Sequence, residues 1–469
     1  MQRTRRAPWA MALLAGLATA LATVMVAGLP TQAAVSQLTR YPYLTDTGQT
    51  QATIDWATDR SQTSGYATYG EAGQESCTAH RANASKTSIT VDDMDEYQWK
   101  AQVSGLSADA TYCYRVFFSD PVVDLLRSDA SPQFSTMPKG GGVMFAVIGD
   151  WGVISNDEAD LMGQLSHSPA QFILGVGDTA YNNGSQTNYG DLHQTGDQVS
   201  EVFRPTYYAR IGLSRPLFNA LGNHGRTATH LLVWPEQKVA ATSGGTYTMQ
   251  KYCCVNDTKS ANYPSAWYAF NAGRSRIYVL DATWSAGNLG SGTLYSDDDA
   301  AHWSSSSAEY QWLAGDLAAH PGGLKIAVFH FPMYGDNPTE GTDHYLHGPG
   351  SLGALLTKYG VQLVFNGHMH AYQRNTRGPG ESFVSYTDGG GGGTLEPVGT
   401  NSGGCSANDA YAIGWSPTKL KGYACGATSP PTSSSQVINY LLVTVRNSSV
   451  TVTPTNSRGN TFDVQTYSF

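Results

Sequence analysis

Two histidines one residue apart, His368 and His370, stand at the end of an apolar run within the stretch VQLVFNGHMHAYQR that begins at Val361. Alternate side chains of an extended chain point the same way, so both imidazoles can reach one site. Four other apolar runs end in residues of similar chemistry. Val143–Ile148 leads into Gly149-Asp150-Trp151-Gly152, and Gln171–Val176 into Gly177-Asp178-Thr179-Ala180-Tyr181. Pro216–Leu221 leads into Gly222-Asn223-His224, and Leu324–Phe329 into His330. Asp150, Asp178, Tyr181, Asn223, His330, His368 and His370 are thus oxygen and nitrogen donors with no thiolate among them. Such a set suits two borderline-to-hard ions, iron, zinc or manganese, bridged by one carboxylate. A pair of ions about 3.5–4 Å apart can hold a hydroxide and clamp the entering and leaving oxygens of a phosphoryl displacement. The chemistry predicted is hydrolysis of a phosphate ester.

These residues need strands that deliver them to one edge. In open α/β sheets reactive residues gather beyond the carboxyl ends of the strands, where each of the five motifs falls. Between the strands lie helical patterns: Asp157–Ser166 with Ala159, Leu161, Met162 and Leu165 on one face, Ala308–Ala319 with Trp312, Leu313 and Leu317, and Leu352–Tyr359 with Leu355, Leu356 and Tyr359. Gly389–Gly393 is either a close backbone approach or a flexible loop. Gly399–Ser435, rich in Gly, Ser, Thr and Pro, reads as an irregular surface excursion, and Val437–Val445 with Ser449–Thr453 as a closing hairpin.

Residues 35–137 differ in kind. Short alternating strands recur about every ten residues, among them Ala52–Trp56, Ser64–Tyr69, Thr87–Val91, Tyr97–Val103 and Thr111–Val116, which predicts a β-sandwich. Ser104-Gly105-Leu106 ahead of Thr111-Tyr112-Cys113-Tyr114-Arg115 resembles the late strands of fibronectin type III domains. The Gly-rich stretch 138–142 is a linker, and 143–469 is the α/β domain. Residues 1–34 carry Arg3, Arg5 and Arg6, an Ala/Leu/Val-rich run and small residues at Ala33 and Ala34, the pattern of a secretory signal peptide, with a loose likeness to the twin-arginine type. No later stretch is apolar enough to span a membrane. A net charge of -9 argues against a nucleic-acid-binding face. Six cysteines suit an oxidising compartment; fifteen pairings are possible, and Cys77 with Cys113 and Cys405 with Cys425 are expected because each pair is local. None has the CxxC spacing of a zinc knuckle.

The five motifs, in order, resemble the GDxG, GDxxY, GNH, VxxH and GHxH blocks of the purple acid phosphatases, within the calcineurin-like metallophosphoesterases. Ala327 stands at the usual valine of the fourth block, and Gly225 follows His224 where many relatives carry glutamate. The resemblance implies a fibronectin III-like sandwich followed by an αββα metallophosphoesterase domain. It further implies that Asp150, Tyr181 and His370 hold Fe(III), that Asn223, His330 and His368 hold a divalent ion (Zn, Fe or Mn), and that Asp178 bridges them. His224 is the candidate for contacting phosphoryl oxygens; His344 and His347, within Asp343–His347, are candidates for protonating the leaving group. The implied protein is a secreted acid phosphatase acting on small phosphate monoesters by attack of a metal-bound hydroxide. Two alternatives keep the same residues: a phosphodiesterase acting on nucleotides or phospholipid head groups, and a cell-surface binding protein with a vestigial metal site.

Overall fold

The structure is a computed structural model that describes residues 38–469 except 92, 154, 182–188, 191, 193–201, 204–207, 221, 223, 225–243, 250–260, 281–307, 338–345 and 401–403. The expected signal segment lies outside the described residues, as do Cys253 and Cys254. No helix among the described residues is long and apolar enough to cross a membrane.

The first half is all antiparallel: β1 (Leu38–Thr45), β2 (Gln51–Asp59), β3 (Gly65–Glu71), β4 (His80–Val91), β5 (Met94–Ser104), β6 (Thr111–Ser119), β7 (Val122–Asp124) and β8 (Gln133–Ser135). The strand order is β1-β2-β5-β4-β3-β6-β7, with β8 also on β6. Strand β4 joins two layers: Ala84–Val91 pair with β5, whereas His80–Asn83 pair with β3. The layers close on Ile54, Trp56, Trp99, Val103, Tyr114 and Phe118, and Trp56 stacks on Trp99 at 6.1 Å. Cys77 is disulfide-bonded to Cys113, as expected from locality.

The second half contains β9 (Val143–Ile148), α1 (Asn156–His167), β10 (Phe172–Gly175), α2 (Tyr208–Gly212), β11 (Leu217–Asn219), β12 (Gly244–Met249), β13 (Ala261–Ala272), β14 (Ser275–Val279), α3 (Ala308–Ala319), β15 (Leu324–Val328), α4 (Leu352–Lys358), β16 (Leu363–Asn366), β17 (Tyr372–Asn375) and β18 (Val384–Asp388). The chain finishes with β19 (Asp409–Ser416), β20 (Lys421–Gly426), β21 (Asn439–Val445), β22 (Ser449–Asn456) and β23 (Gln465–Ser468). One sheet runs β11-β10-β9-β21-β22-β23, and the other β12-β13-β14-β15-β16-β18-β17-β19-β20. Within them β9, β10 and β11 are mutually parallel, as are β14, β15, β16 and β18.

Strand periodicity sorts the second sheet's side chains. Ile277, Val279, Ile326, Val328, Leu363 and Phe365 join Phe145, Phe172 and Phe218 in the core between the sheets. Tyr278, Ala327 and Val364 face the other way, onto Leu313 and Leu317 of α3 and Leu355 and Leu356 of α4. Leu161, Met162 and Leu165 of α1 are buried as their spacing predicts. Ser155 caps that helix by accepting from Glu158 N. The segment Gly399–Ser435, expected to be irregular, instead carries the β19–β20 hairpin, which extends the nine-stranded sheet and is tied by Cys405–Cys425. Its Gly/Ser-rich composition conceals a hairpin whose register the sheet edge sets.

Residues 36–469 form one compact unit. The antiparallel half meets the α/β half around Arg40, which is fully buried. Its guanidinium donates to Gln98 Oε1 at 2.9 Å and Gly190 O at 2.7 Å and lies over the Phe203 ring at 4.8 Å.

Candidate metal centre

Strands β9 and β10 are parallel neighbours, so their C-terminal turns lie side by side and bind each other. Asp150 N donates to Gly177 O and Trp151 N to Asp178 O, each at 3.2 Å. Asp150, Asp178 and His368 all have left-handed backbone, with φ of 55°, 46° and 71°. Strained backbone of this kind persists where the surroundings over-determine it, and it clusters at functional sites.

The bed beneath them is built from glycine. A Cβ on Gly222 would strike the Asp178 carboxylate, one on Gly367 would strike Asp150, and one on Gly393 would lie 2.8 Å from the His370 ring. Gly389–Gly393 are buried throughout, and a Cβ on Gly391 would meet Gly149 O and lie 2.9 Å from Trp151 Cβ. Of the two readings of this run, close backbone approach is the one observed.

Two donor groups adjoin on this bed. In the first, Tyr181 OH donates to Asp150 Oδ1 at 3.2 Å and lies 3.1 Å from His370 Nε2, which is itself 3.3 Å from Asp150 Oδ1. In the second, ligating atoms of Asp178, His330 and His368 all lie within 4.8 Å of one another. His368 and His370 reach the same bed, but residues 367–370 are not extended. The turn at His368 places its imidazole beside His330, with ring centroids 5.0 Å apart, and leaves His370 on the Asp150 side. His224 stands at the edge of both groups. Its backbone N–H donates to Asp178 Oδ1 at 2.7 Å and its ring lies 4.8 Å from that of Tyr181.

The imidazoles are oriented from behind by backbone carbonyls, which carry no sequence signature. His330 Nδ1 lies 2.9 Å from Val176 O and His370 Nδ1 lies 2.9 Å from Thr394 O, so each ring turns Nε2 toward a carboxylate. Such carbonyl partners fix the tautomer of metal-ligating histidines. Glu158 and Glu396 also escaped the sequence reading. Glu158 Oε1 accepts from Gly152 N at 2.6 Å behind Asp150, and Glu396 N donates to His370 O at 2.9 Å.

Electrostatics follow the same division. Burial alone would raise the Asp178 pKa, but the His330 and His224 imidazoles outweigh it and hold the carboxylate below its usual range. Burial opposes charge on His330 and His370, yet Asp178 and Asp150 respectively lift their pKa values to about 9. Glu158, fully buried, is pushed well above the carboxylate range by desolvation.

The donors fit a pair of metal ions. Asp178 Oδ2 is buried and makes no hydrogen bond, with His330 Nε2 facing it at 3.3 Å, a lone pair left for a cation. Two of the nominated residues, Asn223 and His344, lie outside the described residues. His347 is described, and its nitrogens are taken: Nε2 lies 2.6 Å from Met333 O and Nδ1 3.4 Å from Glu381 Oε1. Burial lowers and Glu381 raises its pKa, and the carboxylate prevails. No described contact joins His347 to Asp150 or Asp178.

Residues 143–372 match the calcineurin-like phosphoesterase family, and residues 40–136 match the purple acid phosphatase N-terminal domain. Purple acid phosphatase 15 of Arabidopsis thaliana is 26% identical over 297 residues, spanning 59% of this chain and 49% of its own length. The phosphoenolpyruvate phosphatase of Allium cepa is 24% identical over 313 residues, spanning 64% and 55%. The chain spans about half the length of the curated relatives it matches. A purple acid phosphatase from yellow lupin seeds superposes with a TM-score of 0.62 at 15% identity, covering 91% of this chain and 74% of that one, which shows a shared fold.

Proposed function

We propose that this chain, which belongs to the purple acid phosphatases within the calcineurin-like phosphoesterases, hydrolyses small phosphate monoesters at acid pH. The observation that carries this reading is the pair of adjoining donor groups, with Asp178 Oδ2 buried, facing His330 Nε2 and making no hydrogen bond. On this reading Asp150, Tyr181 and His370 would hold Fe(III), Asn223, His330 and His368 would hold a divalent ion, and Asp178 would serve both. When bound, such a pair supplies a nucleophile at low pH and neutralises charge on the phosphoryl oxygens. A phenolate from Tyr181 is a hard donor that favours the ferric ion.

The chain's own residues do the rest. Val176 O and Thr394 O hold His330 and His370 with Nε2 inward, and the His224 N–H fixes Asp178 by one oxygen, leaving the other turned to His330 Nε2. The His224 ring, at the edge of the bed, is proposed to contact a phosphoryl oxygen. His344 is proposed to protonate the leaving group, with His347 as second candidate; the Glu381 carboxylate makes His347 the more reluctant to release its proton. Disulfides Cys77–Cys113 and Cys405–Cys425 support export to an oxidising compartment.

Rates on a nitrophenyl phosphomonoester beside the matching diester, from pH 4 to 9, test this. Preference for the monoester with an acid optimum is expected. Diester preference at neutral or alkaline pH overturns the substrate class, and absence of both activities overturns the enzyme reading.

A further inference from the structure

Arg40, Arg60, Arg115, Arg276 and Arg374 each face a carboxylate. Arg215 faces only carbonyls. Its Nε donates to Ala170 O at 2.8 Å, and its Nη2 to Ser166 O and Ser168 O at 3.0 and 2.7 Å, where α1 ends. Among the described residues no acidic side chain pairs with it, and Nη1 has no acceptor. The carbonyl end of a helix orients a guanidinium and offsets part of its charge, about half a unit at most. Burial pulls the Arg215 pKa down, the mark of a cation desolvated without a compensating anion.

Arg215 lines a cleft of about 400 Å³ between the two halves of the molecule. Gln133 and Ser135 of β8 form one wall; Gln171, Arg210 and Ser214 form the other, and among the described residues no acidic side chain lines it. Arg210 is held at the rim by the antiparallel half, its guanidinium 4.2 Å above the Tyr41 ring and its Nη2 donating to Tyr41 OH at 2.8 Å. Two guanidiniums that meet no carboxylate among the described residues, beside amide and hydroxyl groups, match the geometry and charge of an oxyanion.

We propose that this cleft binds an oxyanion ligand, a phosphate or sulfate group either free or on a small molecule, held by Arg215 Nη1 and Arg210. None of its residues belongs to the metal bed, and the inference does not rest on the activity proposed above. A ligand seated here touches both halves, so binding stabilises their packing.

Thermal unfolding of the full chain with added inorganic sulfate, inorganic phosphate or glucose 6-phosphate tests this. An anion near ten times its Kd is expected to raise Tm by about 1–2 °C. Arg210→Gln, a change at an exposed side chain, is expected to halve that rise at least, with hydrolysis of a nitrophenyl phosphoester unchanged; Arg215→Lys should do the same. A larger rise with glucose 6-phosphate than with phosphate assigns the site to esters, and an equal rise assigns it to the free anion. A rise in Arg210→Gln equal to that of the unaltered chain, for every anion, overturns the site. So does loss of hydrolysis in parallel with loss of the rise, which would place the anion on the metal bed.

Discussion

In the antiparallel half, space between the layers is filled by large side chains: Trp56 and Trp99 stack, and Phe118 meets Trp99 edge-on at 6.2 Å. Around Asp150 and Asp178 the strand ends converge where side chains are missing, and Gly222, Gly367 and Gly391 admit no Cβ. The two regions also treat a buried carboxylate oppositely. Asp55 in β2 is desolvated, which Lys100 and a hydrogen bond from Thr45 only partly relieve, and its pKa is pushed up to about 6. Asp178 is held low by imidazoles. The sheet pushes its buried acid toward the neutral form and keeps its interior oily, whereas the bed keeps its acid ionised and its backbone close, as a cation site requires.

The sharpest way to break this contrast is to remove bulk from the sheet. Trp99→Ala is expected to cost about 3–5 kcal/mol of stability while the folded fraction keeps its metal and turnover, measured by denaturant unfolding beside metal analysis. If metal is lost in proportion, the two regions are not separable.

Next is the pH dependence that Asp55 contributes. Its folded pKa lies above the unfolded value near 3.8, so the folded state holds the extra proton between about pH 4 and 6. Its stabilisation is full below pH 4 and disappears as pH rises through 6. At about 1.4 kcal/mol per pKa unit, this is about 3 kcal/mol. Asp55→Asn is expected to flatten the stability profile over that window; an unchanged slope would show that Asp55 is ionised in the fold.

Adding one methyl group to the bed comes third. Gly391→Ala is expected to cost about 1–3 kcal/mol and to reduce metal retention, because the new Cβ collides with Gly149 O. Gly163, inside α1 with open space around it, makes the opposite control: Gly163→Ala should stabilise by about 0.5–1 kcal/mol and leave metal content alone. Equal effects at the two positions would mean that the bed is not crowded.

The parts legible in the sequence are those written in local pattern. Leu161, Met162 and Leu165 announced α1, and the apolar runs that stop at glycine or histidine announced the strands that lead to Asp150, Asp178, His330 and His368. What was hidden depends on partners far along the chain. Strand β4 divides its pairing between β3 and β5, which no period within it signals. The run Gly389–Gly393 reads alike whether crowded or free until Asn439, Glu158 and Gly149 are brought against it. Ser155 and Glu158 have the spacing of a capping box, yet the Glu158 carboxylate goes to Gly152 N, a bond set by the bed and not by the helix. The family resemblance assigns His368 and His370 to different ions, but no period in the sequence shows the turn that separates their rings, which follows from the positive φ at His368.

The most direct test of the whole account is metal content per chain, measured with monoester hydrolysis, for the unaltered protein and Asp178→Asn. Two ions per chain in the unaltered protein, with the variant losing at least one ion and its hydrolysis falling by more than the roughly 10–100-fold typical of removing an outer-sphere partner, is the expected result. Asp178→Asn with full metal content and full hydrolysis would contradict it.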